Sequence, residues 1–296
     1  GLSRSVNEHL AQGTEVFVAE MGTYGPGEIA DLVSWIRPSI SLLASIGPVH
    51  LERFGDLDTI VASKSEIFST SRTAIVNIDA YGLAREADRL QVSGIDVLRC
   101  SSNDRTADVV VLKDNQRLEV IVSGRRILTG LAADAAPTNV ACAVAVATTL
   151  GIPDEIIAQR LANLPTVEHR RQVLVSQSGV TVIDDTYNSN PAGGAAALET
   201  LGGLDAHRKV VVTPGMVELG HRQVAENRQF GVDASLLADD LVIVGRTNKS
   251  ALLKGSRDGN ARVHFVSCRE DAVNWVREPL TAGDAVLYER DLPDHY

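Results

Sequence analysis

A chain of 296 residues is too long for one typical domain and fits two α/β units. With 44% hydrophobic and 22% charged residues it can bury ordinary cores. Its formal net charge of −10 lacks the basic footprint of a general nucleic-acid or membrane-surface protein, so arginine or a metal must supply local positive charge to any anionic substrate.

Short apolar, β-branched runs alternate with helical segments, the pattern of an α/β fold with largely parallel sheets. Residues 16–20 read as a buried strand that leads into a glycine-rich turn, Gly22 to Gly27. A helix follows from about Glu28 to Ile36, stopped before Pro38. Residues 39–46 form the next strand, 57–70 a helix and 73–78 a third buried strand. From about 95 to 122 the chain turns to short strands with polar breaks, 108–112 and 117–122 among them, which predict hairpins. An Ala/Val-rich helix over 139–150 must be buried on most sides, and a second spans 153–161. Residues 163–168 mark a boundary. Beyond it the alternation restarts, with strands at 172–175, 180–184, 209–213, 241–244, 263–266 and 285–287, a helix at 192–201 and further helices between the later strands. The fold class is therefore α/β: a central α/β domain over residues 1–165, then a smaller Rossmann-like α/β domain over 166–296.

Cys100, Cys142 and Cys268 stand far apart without a CxxC pair, which excludes a thiolate zinc site and fits a reducing compartment. No apolar run of about 18 residues and no opening signal peptide occurs, so the cytoplasm is the expected location.

In open α/β sheets, ligands bind beyond the carboxyl ends of the strands. Glu20 closes the first strand before the glycine turn, and taken alone it is a hydrogen-bonded turn carboxylate. His50 follows Gly47-Pro48-Val49 at the end of the next strand, where a lone histidine is more often structural. Lys64 sits on the following helix, where a solvated lysine is the ordinary reading. Together they offer a carboxylate, an imidazole and a cation at neighbouring strand ends, as a divalent-metal and phosphate site needs. In the second domain, His169-Arg170-Arg171 is either salt-bridged scaffold or a source of phosphate-binding arginine. The run Asp184-Asp185-Thr186-Tyr187-Asn188-Ser189-Asn190 follows an apolar strand and precedes a helix. A cap needs one such residue rather than the whole run, so a functional loop is the better reading.

These residues, in this order, resemble the Mur ligase family. The resemblance rests on Glu20-Met21-Gly22 with Gly27-Glu28-Ile29, His50-Leu51-Glu52 with Gly55, and Lys64-Ser65-Glu66-Ile67-Phe68. It continues through Asn77 and Asp79, Thr138-Asn139, His169-Arg170, the run Asp184 to Asn190, and Met216-Val217-Glu218-Leu219-Gly220. The last two segments are specific to one branch, whereas the glycine turns are not. The resemblance implies an ATP-dependent amide-bond ligase of peptidoglycan precursor synthesis. Such an enzyme phosphorylates a carboxylate on a nucleotide-linked peptide, and the acyl-phosphate is then attacked by an amine, D-alanyl-D-alanine or similar. Glu20 and His50 would hold magnesium, and Lys64 would become a carbamate that positions it. Asn139 would contact the adenine of ATP, and Arg170 and Asp185 would reach the nucleotide from the second domain. Tyr187, Asn188 and Asn190 would face the acceptor amine. The expected partners are these small molecules, with no nucleic acid and no membrane.

Three features depart from the family pattern. No Gly-Lys dipeptide occurs, so the P-loop that cradles phosphates has no counterpart. Gly1-Leu2-Ser3 resembles a point roughly one helix beyond that loop. The resemblance thus implies a truncated central domain, inactive alone and completed by an amino-terminal segment of the same protein. Cys142 stands where a second asparagine is usual, and Tyr288-Glu289-Arg290-Asp291-Leu292-Pro293-Asp294 replaces a Lys-Gly-Ser-Arg-like ending. Two alternatives follow: a related amide ligase of folylpolyglutamate or natural-product type, or a degenerate module that only binds.

Overall fold

The computed structural model describes residues 2–48, 50–114, 117–131, 135–164, 169, 171–187 and 190–290. The first half opens with α1 (Leu2–His9), α2 (Glu28–Ile36), β1 (Ile40–Leu43), α3 (Leu51–Phe54) and α4 (Leu57–Ser65). It continues with β2 (Thr73–Asn77), α5 (Leu83–Val92), β3 (Asp96–Ser101), β4 (Val109–Asp114), β5 (Arg117–Val122), β6 (Arg125–Leu131), α6 (Pro137–Thr149) and α7 (Asp154–Leu161). The second half comprises β7 (Gln172–Val175), β8 (Thr181–Asp185), α8 (Pro191–Gly202), β9 (Lys209–Thr213), α9 (Gln223–Leu237) and β10 (Asp240–Val244). It closes with α10 (Lys249–Gly255), β11 (Arg262–Val266), α11 (Arg269–Arg277) and β12 (Ala285–Glu289).

Each half builds one six-stranded sheet. The first has the order β1-β2-β3-β4-β5-β6, parallel through β4 and then antiparallel across the two hairpins. The second has the order β11-β10-β9-β12-β8-β7, all parallel except for β7 at its edge. Both are α/β layers with helices on the two faces, which explains the near-continuous apolar strands. Side chains alternate across each sheet. In the first, Ile75 faces Ala141 and Ala145 of α6, while Ala74 and Val76 face Leu83, Ala87 and Leu90 of α5. In the second, Val211, Leu241 and Ile243 meet Leu198, Leu201, Phe230 and Leu252 on helices α8 to α10. Val210, Val212 and Val242 meet Ala272 and Val276 of α11. A fully buried Leu, Ile or Val stabilises by about 1.5–3 kcal/mol, so these two-sided layers carry the fold.

The structure departs from the sequence reading most clearly at residues 16–20, which form no strand: Val16 is 53% and Val18 is 85% exposed. A strand exists through its ladder, and this run has no neighbouring strand among the described residues. The expected strand over 39–46 is confined to Ile40–Leu43, and the helix expected over 57–70 ends at Ser65 before a 3-10 turn at Glu66–Phe68. Helix α6 buries Val140, Ala141, Cys142, Val144 and Ala145, whereas Asn139 is exposed in its first turn. No helix among the described residues is long and apolar enough to cross a membrane.

Candidate active site

Three segments of the first half converge beyond the carboxyl end of β1. The glycine turn is held from both sides by carboxylates. Glu28 accepts from the Tyr24 N–H at 2.7 Å and from Thr23 Oγ1 at 3.1 Å. Those bonds, led by the one from Tyr24, hold its carboxyl below the usual glutamate range. Glu66, two residues beyond Lys64, accepts from the N–H groups of Gly27 at 2.8 Å and Ala30 at 3.0 Å. These are otherwise unpaired donors at the start of α2, and a carboxylate suits that helix end. Tyr24, at the tip of the turn, packs edge-on against the His50 ring at 4.8 Å between centroids, and Arg53 lies 4.9 Å over the Tyr24 ring. Glu66 therefore ties the turn to the Lys64 helix, and Tyr24 ties it to His50.

Lys64 is half-buried, with no ion-pair partner among the described residues. Burial alone pulls its pKa below the ordinary lysine range, favouring the neutral amine. Glu20 is exposed beside the turn and likewise has no ion-pair partner among the described residues. Asn77 and Asp79 are structural. Asn77 Nδ2 donates to Ala44 O at 2.7 Å, and Asp79 accepts from Ser102 N at 2.7 Å and Asn103 Nδ2 at 3.1 Å, pinning the ends of β1, β2 and β3 together.

The second half reaches this region through the loop after β9. Met216 and Leu219 are buried in its core, while Glu218, at φ 63°, projects to form an ion pair with His50 Nδ1. Gly220, at φ 53°, lies so close to the first half that a Cβ would sit 3.2 Å from Glu52 N. Sequence reasoning placed Glu218 only as part of a motif; its pairing with an imidazole 168 positions earlier has no local signal.

At the carboxyl end of β8, Asp184 accepts from His169 Nδ1 at 2.7 Å and Thr186 Oγ1 at 2.6 Å. Burial would raise its pKa, but these hydrogen bonds outweigh it and hold the carboxyl low. Asp185 is buried and accepts from Arg171 N–H at 3.0 Å. Tyr187 is 64% exposed. Asn190 caps α8, its Oδ1 accepting from Gly193 N–H at 2.9 Å, which is the ordinary reading of such a residue. Arg170 and Asn188 lie outside the described residues, as do the boundary segment 165–168 and the ending from 291. Cys142, at the position of the usual second asparagine, packs in the core beside Cys100.

Sequence reasoning also missed the chemistry of Glu289. It is wholly buried at the end of β12, in register with Asp185, donor Thr213 Oγ1 contacts one carboxyl oxygen, and Oε1 has no partner. Burial, reinforced by the Asp185 charge, pushes its pKa up to about 7 despite the Thr213 hydrogen bond. On the opposite face of the same sheet, a cavity of about 960 Å³ runs between the strands and α11, with Tyr187, Arg277 and Arg290 among its walls.

The donor set suits a magnesium ion in part. Among the described residues no group of three His, Cys, Asp or Glu side chains could hold a metal. Magnesium, however, keeps several waters and takes phosphate oxygens, needing only one or two protein ligands. His50, with a carboxylate at Nδ1, fits one of them.

Comparison with known proteins covers nearly the whole chain. Residues 1–147 match the Mur ligase middle domain, and residues 169–288 match the Mur ligase, glutamate ligase domain. The UDP-N-acetylmuramoyl-tripeptide–D-alanyl-D-alanine ligase of Mycobacterium tuberculosis is 32% identical over 305 residues, covering 93% of this chain and 59% of its own length. The Bacillus subtilis ligase of the same name is 24% identical over 289 residues, covering 95% of this chain and 62% of its own. MurF of Thermotoga maritima, solved in complex with ADP, shares the fold at a TM-score of 0.80 and 23% identity, covering 98% of this chain and 67% of that one. The chain thus spans about six-tenths of the curated relatives' length.

Proposed function

The chain belongs to the Mur ligase family, and from that premise we propose that it is the middle and carboxyl-terminal part of an ATP-dependent carboxylate–amine ligase of peptidoglycan precursor synthesis. The carboxylate is that of a nucleotide-linked peptide, and the acceptor is D-alanyl-D-alanine, as the names of its relatives indicate. The observation that carries this reading is the convergence of the Tyr24 turn, His50 and the Lys64 helix, met by Glu218 from the second half.

ATP transfers its terminal phosphoryl group to the carboxylate oxygen. The amine nitrogen then attacks the acyl carbon, the acyl C–O bond breaks, inorganic phosphate leaves with the bonding electrons, and the nitrogen loses a proton. Both steps crowd anions together, so charge must be offset and water excluded. Magnesium, when bound, would supply that positive charge. In this reading Glu20 and His50 would hold the ion. Lys64, whose pKa burial lowers, would add carbon dioxide through the nitrogen of its neutral form and lose a proton, so that a donor side chain becomes an acceptor. Asn139 contacts adenine, Arg170 and Asp185 approach the nucleotide, and Tyr187, Asn188 and Asn190 approach the amine. The isolated chain, without a P-loop lysine, has no turnover, and the remaining part of the protein restores it.

The buried Glu289, where a Lys-Gly-Ser-Arg-like ending is usual, favours one second reading: a related amide ligase with another acceptor, of folylpolyglutamate or natural-product type. A purely binding module is disfavoured because a half-buried lysine with no ion-pair partner among the described residues has no role in it. The deciding experiment measures phosphate release by the protein completed to the length of its relatives. Release should require D-alanyl-D-alanine and vanish in Lys64→Ala. Indifference to the amine, normal activity in Lys64→Ala, or robust turnover by residues 1–296 alone overturns the reading.

A further inference from the structure

The Met216–Gly220 segment meets the first half through Glu218, and its own path is braced from several sides. Asn227, wholly buried, accepts from Met216 N–H at 2.7 Å and donates to Met216 O at 2.8 Å. Asn248, also buried, donates to Pro214 O at 3.1 Å and Met216 O at 3.0 Å. Thr213 Oγ1 accepts from Gly215 N–H at 2.8 Å. These contacts satisfy buried backbone groups and fix the path of the loop. At its tip, Glu218 adopts a left-handed conformation that a glutamate does not favour, and its carboxylate meets His50 Nδ1.

His50 is constrained three ways. Its backbone is also left-handed, Tyr24 packs edge-on against its ring, and Nδ1 is buried with no hydrogen bond of regular geometry, the Glu218 carboxylate being its ion-pair contact among the described residues. Nε2 has no partner among the described residues. As adhesion between the halves, one partly exposed ion pair contributes little. As a device to orient a ring it is effective, since a histidine that ligates a metal through one nitrogen usually offers the other N–H to a carboxylate.

We propose that Glu218 is the positioning residue of His50: carried from the second domain on a rigid loop, its carboxylate keeps the proton on Nδ1 and leaves Nε2 for a divalent cation. The proposal rests on the reading of His50 as a cation ligand. It makes that ligand competent only when the two domains meet as they do here, so domain contact and cation binding are coupled.

The test uses the 296-residue chain. Ring ¹⁵N shifts of His50 at about pH 9, well above the ordinary imidazole range, report which nitrogen carries the proton. The wild type should show Nδ1–H, Glu218→Ala should shift to Nε2–H, and Glu218→Gln should retain Nδ1–H through its amide oxygen. Gly220→Ala, which keeps the carboxylate but pushes the loop off the Leu51–Glu52 backbone, should behave as Glu218→Ala does. Mn²⁺ added alone should broaden the His50 ring signals, with the half-effect concentration raised ~10-fold or more in Glu218→Ala. An unchanged tautomer in Glu218→Ala overturns the positioning role. Unbroadened His50 signals in the wild type overturn instead the cation role of His50, whatever the tautomers show.

Discussion

Two runs with the same sequence signature meet opposite fates. Residues 16–20 and Lys209–Thr213 are both short, valine-rich and followed by a glycine-containing turn. The second run lies between β10 and β12, bonded on both sides, with Val210 and Val211 fully buried. The first has no ladder among the described residues, and Val18 stands 85% exposed. Valine content states a preference for a pleated, half-buried surface, but neighbours have to supply that surface. Strand formation therefore belongs to the sheet, not to the segment.

Hydrogen exchange exposes this contrast most strongly. Amides of β9 should open only with global unfolding, whereas those of 16–20 should exchange at nearly unprotected rates, a difference of at least ~10³-fold. Comparable protection in the two runs would show that 16–20 finds a ladder partner in solution.

The packing that makes β9 and β12 strands also forces a carboxyl inside. Glu289 holds its proton in the folded protein up to about pH 7, while the unfolded chain releases it near the reference value of 4.5. Between these values the folded state binds more protons, so stability falls as pH rises through the window and the contribution is complete only below it. The loss is on the order of 3 kcal/mol. Glu289→Gln should flatten the dependence of unfolding free energy on pH across that range and raise stability above it. A wild-type profile already flat there contradicts a buried neutral carboxyl.

The second domain was the more legible for the same physical reason. Its strands at 172–175 and 209–213 coincide with the sequence reading; two-sided burial gives 209–213 a continuous apolar signature, whereas 172–175 is an exposed edge strand read from its β-branched, apolar residues. Helix α5 escaped notice; its buried face is only Leu83, Glu86, Ala87 and Leu90 amid charged neighbours. Of the site, the turn, His50 and Lys64 were readable as separate signals at strand ends. What joins them was not: Tyr24 on His50, Glu66 on Gly27 and Glu218 on His50 are contacts across the fold, with no local spacing to betray them. Glu289 was visible only as a departure from a pattern, since its burial depends on the strands β8 and β9 that flank β12.

Asn190 provides the finest comparison, because one side chain is asked to serve both domain architecture and acceptor recognition. Its Oδ1 is engaged by Gly193 N–H, and the amide NH₂ is the donor it can offer a ligand. Asn190→Ala should lower stability by about 1 kcal/mol through loss of the cap, and Asn190→Asp should restore it, since both oxygens of the carboxylate accept and the helix N-terminus favours the charge. The two roles then separate by substitution. If the NH₂ group also meets the acceptor, Asn190→Asp in the completed protein keeps wild-type thermal unfolding yet raises the KM for the amine. If the cap is the whole function, both stability and KM return together.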